Sequence, residues 1–171
     1  MTDLTCIDWD YTSNKSKNKY LYKFFNLYKD MSIDMSFYNS SISISDIDNL
    51  EQELYLRSTL KSKIFLYLKN DNIAAYTVLS PDDKNKTRCW LDELFVDMKY
   101  RNRGYGSYIV KNTISLTREL NYKELFLQVS ENNNIAKRIY KNSGFTRSVH
   151  LKNLDLEYLT FINQRVYFIA L

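Results

Sequence analysis

The stretch Tyr100–Ser107, with the sequence YRNRGYGS, decides the fold because it holds two of the three glycines among the 171 residues. Glycine is needed where the backbone takes a positive φ or where a side chain would block a close approach. The residues before it, TRCWLDELFV, have the composition of a strand, and those after it carry apolar side chains at helical spacing. The stretch is therefore predicted to be a turn between a strand and a helix.

The predicted turn suits an anion. A turn that opens a helix exposes backbone N–H groups at the positive end of the helix dipole, and Arg101 and Arg103 add positive charge. Two dinucleotide motifs fail, because Ile109 replaces the third glycine of a Rossmann fingerprint and no GKS or GKT is present for a P-loop. The alternative is that Gly104 and Gly106 only shape a corner between strand and helix.

The periodicity of the rest of the chain predicts further helices and strands. Before the turn we expect strands at 4–9, 63–69, 73–80 and 87–96, helices at 17–30 and 45–60, and a loop at 32–41. After it we expect helices at 105–120 and 133–142 and strands at 124–129, 145–152 and 165–170. Gly144 is expected to cap the helix before it in a left-handed conformation. The strands on either side of the helix at 105–120 should form a parallel pair with a right-handed crossover.

Two motifs together resemble the GNAT acetyltransferase superfamily. The pattern Arg101-x-x-Gly104-x-Gly106, after a strand ending in LFV, is similar to motif A of that family. A second pattern, V-x-x-x-N-x-x-A-x-x-x-Y-x-x-x-G-F, follows in the family's order and is matched by Val129, Asn133, Ala136, Tyr140, Gly144 and Phe145. The resemblance covers about 90–145. It implies one N-acetyltransferase domain over 1–171, with a three-layer α/β (α+β) fold whose mixed, mostly antiparallel sheet has about seven strands and about four helices.

The resemblance also implies a binding site for acetyl-CoA as a co-substrate. In the family, motif A binds the pyrophosphate, and strands four and five splay apart to admit the pantetheine arm. The amides of that arm would pair with backbone around Phe95 and Val96, and Asn133 would meet the same arm. The cofactor-binding residues predicted in this way are Phe95, Val96, Arg101, Arg103, Gly104, Tyr105, Gly106, Ser107, Asn133 and Tyr140.

Three residues are candidates for catalysis. An amine acceptor must lose a proton, and Asp92 and Glu93 lie on the strand that would border the thioester. Because successive strand residues point to opposite faces, one of the two is expected to face the substrate. We favour Glu93, although LDELFV resembles the LEDFFV pattern of spermidine/spermine acetyltransferases, which would align the catalytic acid with Asp92. Family practice makes the Tyr140 hydroxyl the donor to the departing thiolate.

The function implied is acetyl transfer from acetyl-CoA to a primary amine of a small molecule or peptide by direct attack in a ternary complex. One alternative is a non-catalytic acyl-CoA-binding sensor or interaction module that keeps the pocket. A nucleic-acid binder that uses the RNRG turn is the weakest reading, because 24 Lys and Arg against 20 Asp and Glu give a net charge of only +4.

Composition adds expectations about metals, partners and location. Cys6 and Cys89 are far apart and belong to no metal motif, so neither a metal site nor a disulfide framework is expected, and a reducing cytoplasm fits. No apolar run reaches the roughly 18 residues that span a bilayer, and no basic-then-apolar leader opens the sequence, so no membrane partner is expected. Because members of the family often pair, a homodimer is compatible with the resemblance.

Overall fold

The computed structural model describes residues 3–36, 54, 57–148 and 164–171. Most of the helix predicted at 45–60 lies outside these residues, although residues 54 and 57–59 are helical. The strand predicted at 145–152 is described only to residue 148. Within the described residues, no helix combines the length and the apolar character required to cross a bilayer.

A seven-stranded mixed sheet forms the middle layer of the described residues. Its strands are β1 (Thr5–Trp9), β2 (Lys63–Lys69), β3 (Asn72–Pro81), β4 (Arg88–Val96), β5 (Glu124–Ser130), β6 (Thr146–Arg147) and β7 (Gln164–Ala170). They are ordered β1-β2-β3-β4-β5-β7-β6. β4 and β5 are parallel, and the other neighbouring pairs are antiparallel. The predicted mixed, mostly antiparallel sheet and its parallel pair are confirmed.

Helices cover both faces of the sheet. The described helices are α1 (Asn14–Ser36), α2 (Tyr105–Glu119) and α3 (Asn134–Asn142), with a 3₁₀ turn at Met98–Tyr100. On one face, side chains of α1 such as Phe24 pack with Tyr76 and Phe95 of the sheet. On the other face, Ile109 of α2 and Tyr140 of α3 belong to a second core. The predicted three-layer architecture is therefore confirmed.

The first helix is longer than the sequence predicts. α1 extends to Ser36, so the prediction of a loop at 32–41 is wrong for residues 32–36. Once a helix has formed, each further residue adds a hydrogen bond, and the weak propensity of Ser and Asp does not stop it.

Between β2 and β3, Asn70 and Asp71 have φ values of 49° and 61°, the geometry of a two-residue hairpin turn. The hairpin predicted there is confirmed.

Phe24 is the side chain of α1 that we expect to matter most for stability. Its ring centroid lies 4.9 Å from those of Trp9 and Tyr76, and it is 1% exposed. Phe24→Ala should lower the free energy of unfolding by about 3–5 kcal/mol, because it removes a fully buried ring and leaves a cavity. Urea unfolding followed by circular dichroism measures this change. Tyr22→Ala on the same helix is the control, since Tyr22 is 76% exposed, and an equal loss in both variants would contradict the packing.

Candidate active site

The site lies where β4 and β5 part. Their register pairs Arg88 with Glu124 at one end and Leu91 with Leu127 at the other, and no pair follows. β4 nevertheless continues to Val96 and β5 to Ser130, so the ends of the two strands separate. A cavity of about 150 Å³ opens in this gap. The separation of strands four and five predicted from the resemblance is confirmed.

The cavity brings together five of the predicted site residues. They come from β4, from the segment between β5 and α3, and from α2 and α3, and they are Asp92, Glu93, Gly106, Asn133 and Tyr140. Met31 of α1 also lines it, so the cavity touches all three layers. Phe95, Val96 and the rest of the turn lie outside this lining.

A β-bulge in β4 decides where the two acids point. Leu91 pairs with Leu79 of β3, and Glu93 pairs with Val78, so Asp92 has no partner in the β3 register. An extra residue of this kind breaks the alternation of side chains. Asp92 and Glu93 both belong to the cavity lining, as do Leu91 and Leu94 on either side of them. The uninterrupted strand that the sequence argument assumed is not present, and the choice of the acid that faces the substrate stays a prediction.

Glu93 is held by an arginine from outside the sheet. The Arg57 Nη2 atom donates to Glu93 Oε1 at 2.5 Å, and both side chains are largely buried. The second oxygen, Oε2, is buried and has no hydrogen-bond donor among the described residues. Tyr76 lies close by, and its pKa rises well above the ordinary value because of burial first and the Glu93 charge second. Glu93 is thus one half of an ion pair beside the cavity.

Asp92 has a higher pKa than an ordinary aspartate. Its side chain is open to solvent, but the surrounding protein removes part of its hydration, and this desolvation raises its pKa to about 6. A hydrogen bond donated by the Ser80 hydroxyl to Asp92 Oδ2 opposes this rise. The Glu93 carboxylate adds to the rise, and Arg57 lowers it. A carboxylate with this pKa is about nine-tenths ionised at pH 7 and holds a proton more strongly than an ordinary aspartate.

Tyr140 of α3 lines the same cavity as these acids. Its ring packs against Phe145 in a T-shaped contact with centroids 5.7 Å apart. Burial raises the pKa of its hydroxyl to about 12. A phenol with this pKa is a weak acid, so the group is suited to donating a hydrogen bond rather than to giving up its proton.

The turn between β4 and α2 leaves backbone donors exposed. Gly104 is the N-cap of α2 with a φ of 78°, and no side chain among the described residues caps this end. Asn102 also has a positive φ, at 60°. The first N–H groups of a helix have no partner within the helix. The N-terminus of α2 therefore has the geometry predicted for binding an anion, and Gly104 is required by its left-handed backbone.

Gly106 has a packing role in addition. A Cβ atom at this position would come within 3.2 Å of the Cδ1 atom of Ile139 on α3, whereas a Cβ at Gly104 would meet nothing within 4 Å. The two glycines are thus needed for different reasons. Gly104 permits the turn, and Gly106 permits the close approach of α2 and α3. The alternative that these glycines shape the corner between strand and helix therefore explains part of their use.

The side chains of the turn point in several directions. The Arg101 Nε atom donates to the Val96 carbonyl oxygen at 2.9 Å, and its guanidinium lies 5.0 Å from the centre of the Phe95 ring. Arg103 and Ser107 are exposed beside the N-terminus of α2. Tyr105 is buried. Arg101 therefore ties the turn to β4, while Arg103 and Ser107 remain open to solvent.

Tyr105 and Asn133 serve the protein itself through their side chains. The Tyr105 hydroxyl donates to Asp3 Oδ1 at 2.7 Å and accepts from Lys69 Nζ at 3.0 Å, which turns it towards the sheet. Asn133 is the N-cap of α3, and its Oδ1 atom accepts the Ala136 N–H at 3.0 Å. Asn133 still lines the cavity. The helix predicted at 133–142 begins one residue later, at Asn134, for this reason.

Sequence reasoning did not single out Arg57 or Ser80. Arg57 lies in a segment predicted only as a generic helix, and it reaches Glu93 from 36 residues away. Ser80 is an ordinary residue near the end of a strand, and its contact with Asp92 depends on the bulge in β4. No local pattern marks either residue, because contacts between residues far apart in the sequence bring each to the site.

Comparison with known proteins identifies the family. The sequence profile described as the acetyltransferase (GNAT) family matches residues 23–145. A spermine/spermidine N(1)-acetyltransferase of Bacillus subtilis is 39% identical over 66 residues, which are 37% of this chain and 43% of that protein. The matched segment thus spans less than half of that relative.

Solved structures show the same fold. An acetyltransferase from Streptococcus agalactiae superimposes with a TM-score of 0.73 over 100% of both chains at 18% identity. A protein from Salmonella typhimurium, solved with its cofactor acetyl-CoA, has a TM-score of 0.68 over 99% of this chain and 94% of that one, at 13% identity. At these identities the likeness establishes the fold.

The raised pKa of Asp92 predicts a stability effect that depends on pH. Its pKa is about 6 in the folded chain, against about 3.9 in an unfolded one. The ionised carboxylate therefore destabilises the fold; this penalty is absent below about pH 4 and complete above about pH 6. Asp92→Asn should raise Tm by a few degrees at pH 7.5 and change it little at pH 4.5, as measured by calorimetry. Asp83→Asn, at an exposed loop position, is the control; a lower Tm for Asp92→Asn at pH 7.5 would contradict the assignment.

Proposed function

Because the chain belongs to the acetyltransferase (GNAT) family, we propose that it is an N-acetyltransferase that transfers the acetyl group of acetyl-CoA to a primary amine. The proposed reaction is direct attack of the amine in a ternary complex. The observation that carries the proposal is the cavity between the separated ends of β4 and β5, which holds a carboxylate of raised pKa and a tyrosine together.

The residues around the cavity fit acetyl-CoA. The uncapped N-terminus of α2, with Arg103 and Ser107 exposed beside it, supports binding of the pyrophosphate. Within the part of the chain that the structure describes, the end of β4 beyond Leu91 has no ladder partner on the side of β5, which leaves backbone groups for the amides of the pantetheine arm. Arg101 already satisfies the Val96 carbonyl oxygen, so we assign Arg101 the role of fixing the turn. When bound, the cofactor supplies the acetyl thioester.

Asp92 is the proposed proton acceptor. An amine with a pKa near 10.4 is neutral in roughly one molecule in 2,500 at pH 7, which costs about 4.6 kcal/mol, so the site must take up a proton. The sequence favoured Glu93, but one Glu93 oxygen accepts from Arg57 at 2.5 Å. Asp92 is open to the cavity and binds a proton more strongly than an ordinary aspartate. Glu93 and Arg57 are proposed to shape the acceptor side of the site.

Tyr140 is the proposed hydrogen-bond donor to the departing sulfur. With its pKa near 12 and a thiol near 8.5, full transfer of the proton would be uphill by about 5 kcal/mol. A hydrogen bond to the developing thiolate has no such cost. Its contribution to the rate is expected to be about 10- to 100-fold, the range for a hydrogen bond to a charged group.

The charge of the site favours a cationic acceptor. Asp92 and Glu93 carry two negative charges against the single positive charge of Arg57, and all three lie within one cluster. A polyamine is the first acceptor to test, because a spermine/spermidine N(1)-acetyltransferase is among the relatives. Amino acids, aminoglycosides and peptide N-termini are the other classes.

The proposed function predicts release of free thiol from acetyl-CoA in the presence of an amine. The panel should begin with spermidine and spermine, and kcat/KM should fall below about pH 6 as Asp92 becomes protonated.

Tyr140→Phe should lower kcat about 10- to 100-fold with little change in KM for acetyl-CoA. Tyr22→Phe, on the exposed face of α1, is the control and should keep full activity. Calorimetric binding of acetyl-CoA with no thiol release for any amine would instead indicate a non-catalytic acyl-CoA-binding module.

The role of Gly106 can be separated into packing and cofactor binding. Gly106→Ala should lower stability slightly and weaken acetyl-CoA binding, because the new Cβ approaches Ile139 Cδ1 and covers backbone near the helix N-terminus. Ile139→Val removes that methyl group and is the matched partner. In the double variant, thermal stability should return towards that of Ile139→Val while calorimetric affinity for acetyl-CoA stays reduced. Full recovery of affinity would show that Gly106 serves packing alone.

A further inference from the structure

Two buried serines lie behind Asp92. Ser80, near the end of β3, donates its hydroxyl hydrogen to Asp92 Oδ2. The Ser80 Oγ atom is also 2.7 Å from the Oγ atom of Ser62, the residue before β2. Ser62 is 6% exposed and Ser80 is 9% exposed. The three residues therefore form a continuous hydrogen-bonded row from the buried Ser62, just before β2, to Asp92 in the cavity lining.

The direction of these hydrogen bonds follows from counting hydrogens. A serine hydroxyl has one hydrogen to donate. Ser80 donates that hydrogen to the ionised Asp92, which can only accept. The contact between the two serines must then be a donation from Ser62 to Ser80. The row is thus directed from Ser62 through Ser80 to Asp92, and each hydrogen bond polarises the next.

The backbone holds Ser62 in place. Its N–H donates to the Arg57 carbonyl oxygen at 2.9 Å, and its carbonyl oxygen accepts the Tyr11 hydroxyl at 2.8 Å. The segment that supplies Arg57 to Glu93 therefore also fixes the first hydroxyl of the row. One local structure supports both acids of the site.

We propose that the Ser62 and Ser80 hydroxyls are positioning groups that hold Asp92 ionised, with one carboxylate oxygen engaged and the other free to accept the proton of the amine. This inference rests on the proposed function for the role of the proton. The hydrogen-bonded row itself depends only on the contacts of Ser62, Ser80 and Asp92.

The surroundings of Asp92 explain why such support is needed. Desolvation by the surrounding protein and the neighbouring Glu93 charge both favour the protonated carboxyl. The Cys89 thiol, on the same strand, is itself buried and has its pKa raised to about 12, so it stays neutral. Arg57 favours the ionised form, but its Nη2 atom already pairs with Glu93. Among the described residues, the Ser80 hydroxyl donates directly to Asp92, so its loss should change the pKa of that carboxylate.

Titration of Asp92 in the intact protein tests the row without any substrate. The carboxyl carbon signals of aspartate are followed by ¹³C NMR against pH, and the Asp92 signal is assigned by its loss in Asp92→Asn. Ser80→Ala should raise the midpoint by about one pH unit, the size expected when a hydrogen bond to a charged group is lost. Ser62→Ala should raise it by less, since it acts through Ser80, and Ser80→Thr should restore the original midpoint.

The control is Thr77→Val, which removes a fully buried hydroxyl on β3, the strand that also carries Ser80. It should leave the Asp92 midpoint unchanged. An unchanged or lowered midpoint in Ser80→Ala would overturn the inference. If Ser80→Ala does not fold, Ser62→Ala provides the test, because it keeps the hydrogen bond from Ser80 to Asp92. A midpoint for Asp92 that does not rise in Ser62→Ala would then overturn the inference.

Enzyme assays separate this inference from the proposed function. In an active enzyme, the acid limb of kcat/KM should move to higher pH in the same order as the NMR midpoints, with KM for acetyl-CoA unchanged. A limb that stays fixed while the midpoint moves would overturn the role of Asp92 as acceptor. Shifted midpoints with no thiol release from any amine would support the effect of the row on the carboxylate and contradict the proposed function.

Discussion

The interrupted pairing of β4 and β5 is the constraint on which the site depends. Two parallel strands share a ladder up to Leu91 and Leu127 and then part. Buried backbone groups ordinarily find hydrogen-bond partners, so a gap of this kind inside a sheet persists only where the surrounding layers hold it open. Here α1 packs on one face and α2 and α3 on the other. The resulting cavity is a product of the whole fold rather than of one loop.

The bulge at Asp92 places two carboxylates with different surroundings next to this gap. In a regular strand the two neighbouring acids would face opposite sides of the sheet. Both acids lie in the cavity lining, where Glu93 pairs with Arg57 and desolvation by the surrounding protein raises the pKa of Asp92. Two adjacent carboxylates thereby acquire different properties from their environments. Separation of this kind is how one site can hold both an ion pair and a base.

Much of the fold could be predicted from the sequence, and the geometry of the acids could not. From residue 63 to the end of α3, the predicted elements lie within about two residues of the observed ones, because periodicity and turn residues act locally. The motif around Gly104 and Gly106 likewise located the turn. The bulge at Asp92 and the reach of Arg57 depend on the register between distant strands and segments. Single-residue alternation carries no information about an inserted residue, so it failed at this point.

The site concentrates groups that are unfavourable for stability. It contains an uncapped helix N-terminus at Gly104, a left-handed residue at Asn102 and a carboxylate that the protein environment makes harder to ionise. Each of these costs folding free energy, and each is what an anion, a close backbone approach or a proton acceptor requires. The aromatic core under α1, built on Phe24, Trp9 and Tyr76, contributes stability, and Tyr76 extends it to Glu93 beside the cavity. The cavity takes its lining from both faces of the sheet, with Met31 of α1 on one side and Gly106 and Tyr140 on the other, so packing and chemistry meet at the gap between β4 and β5.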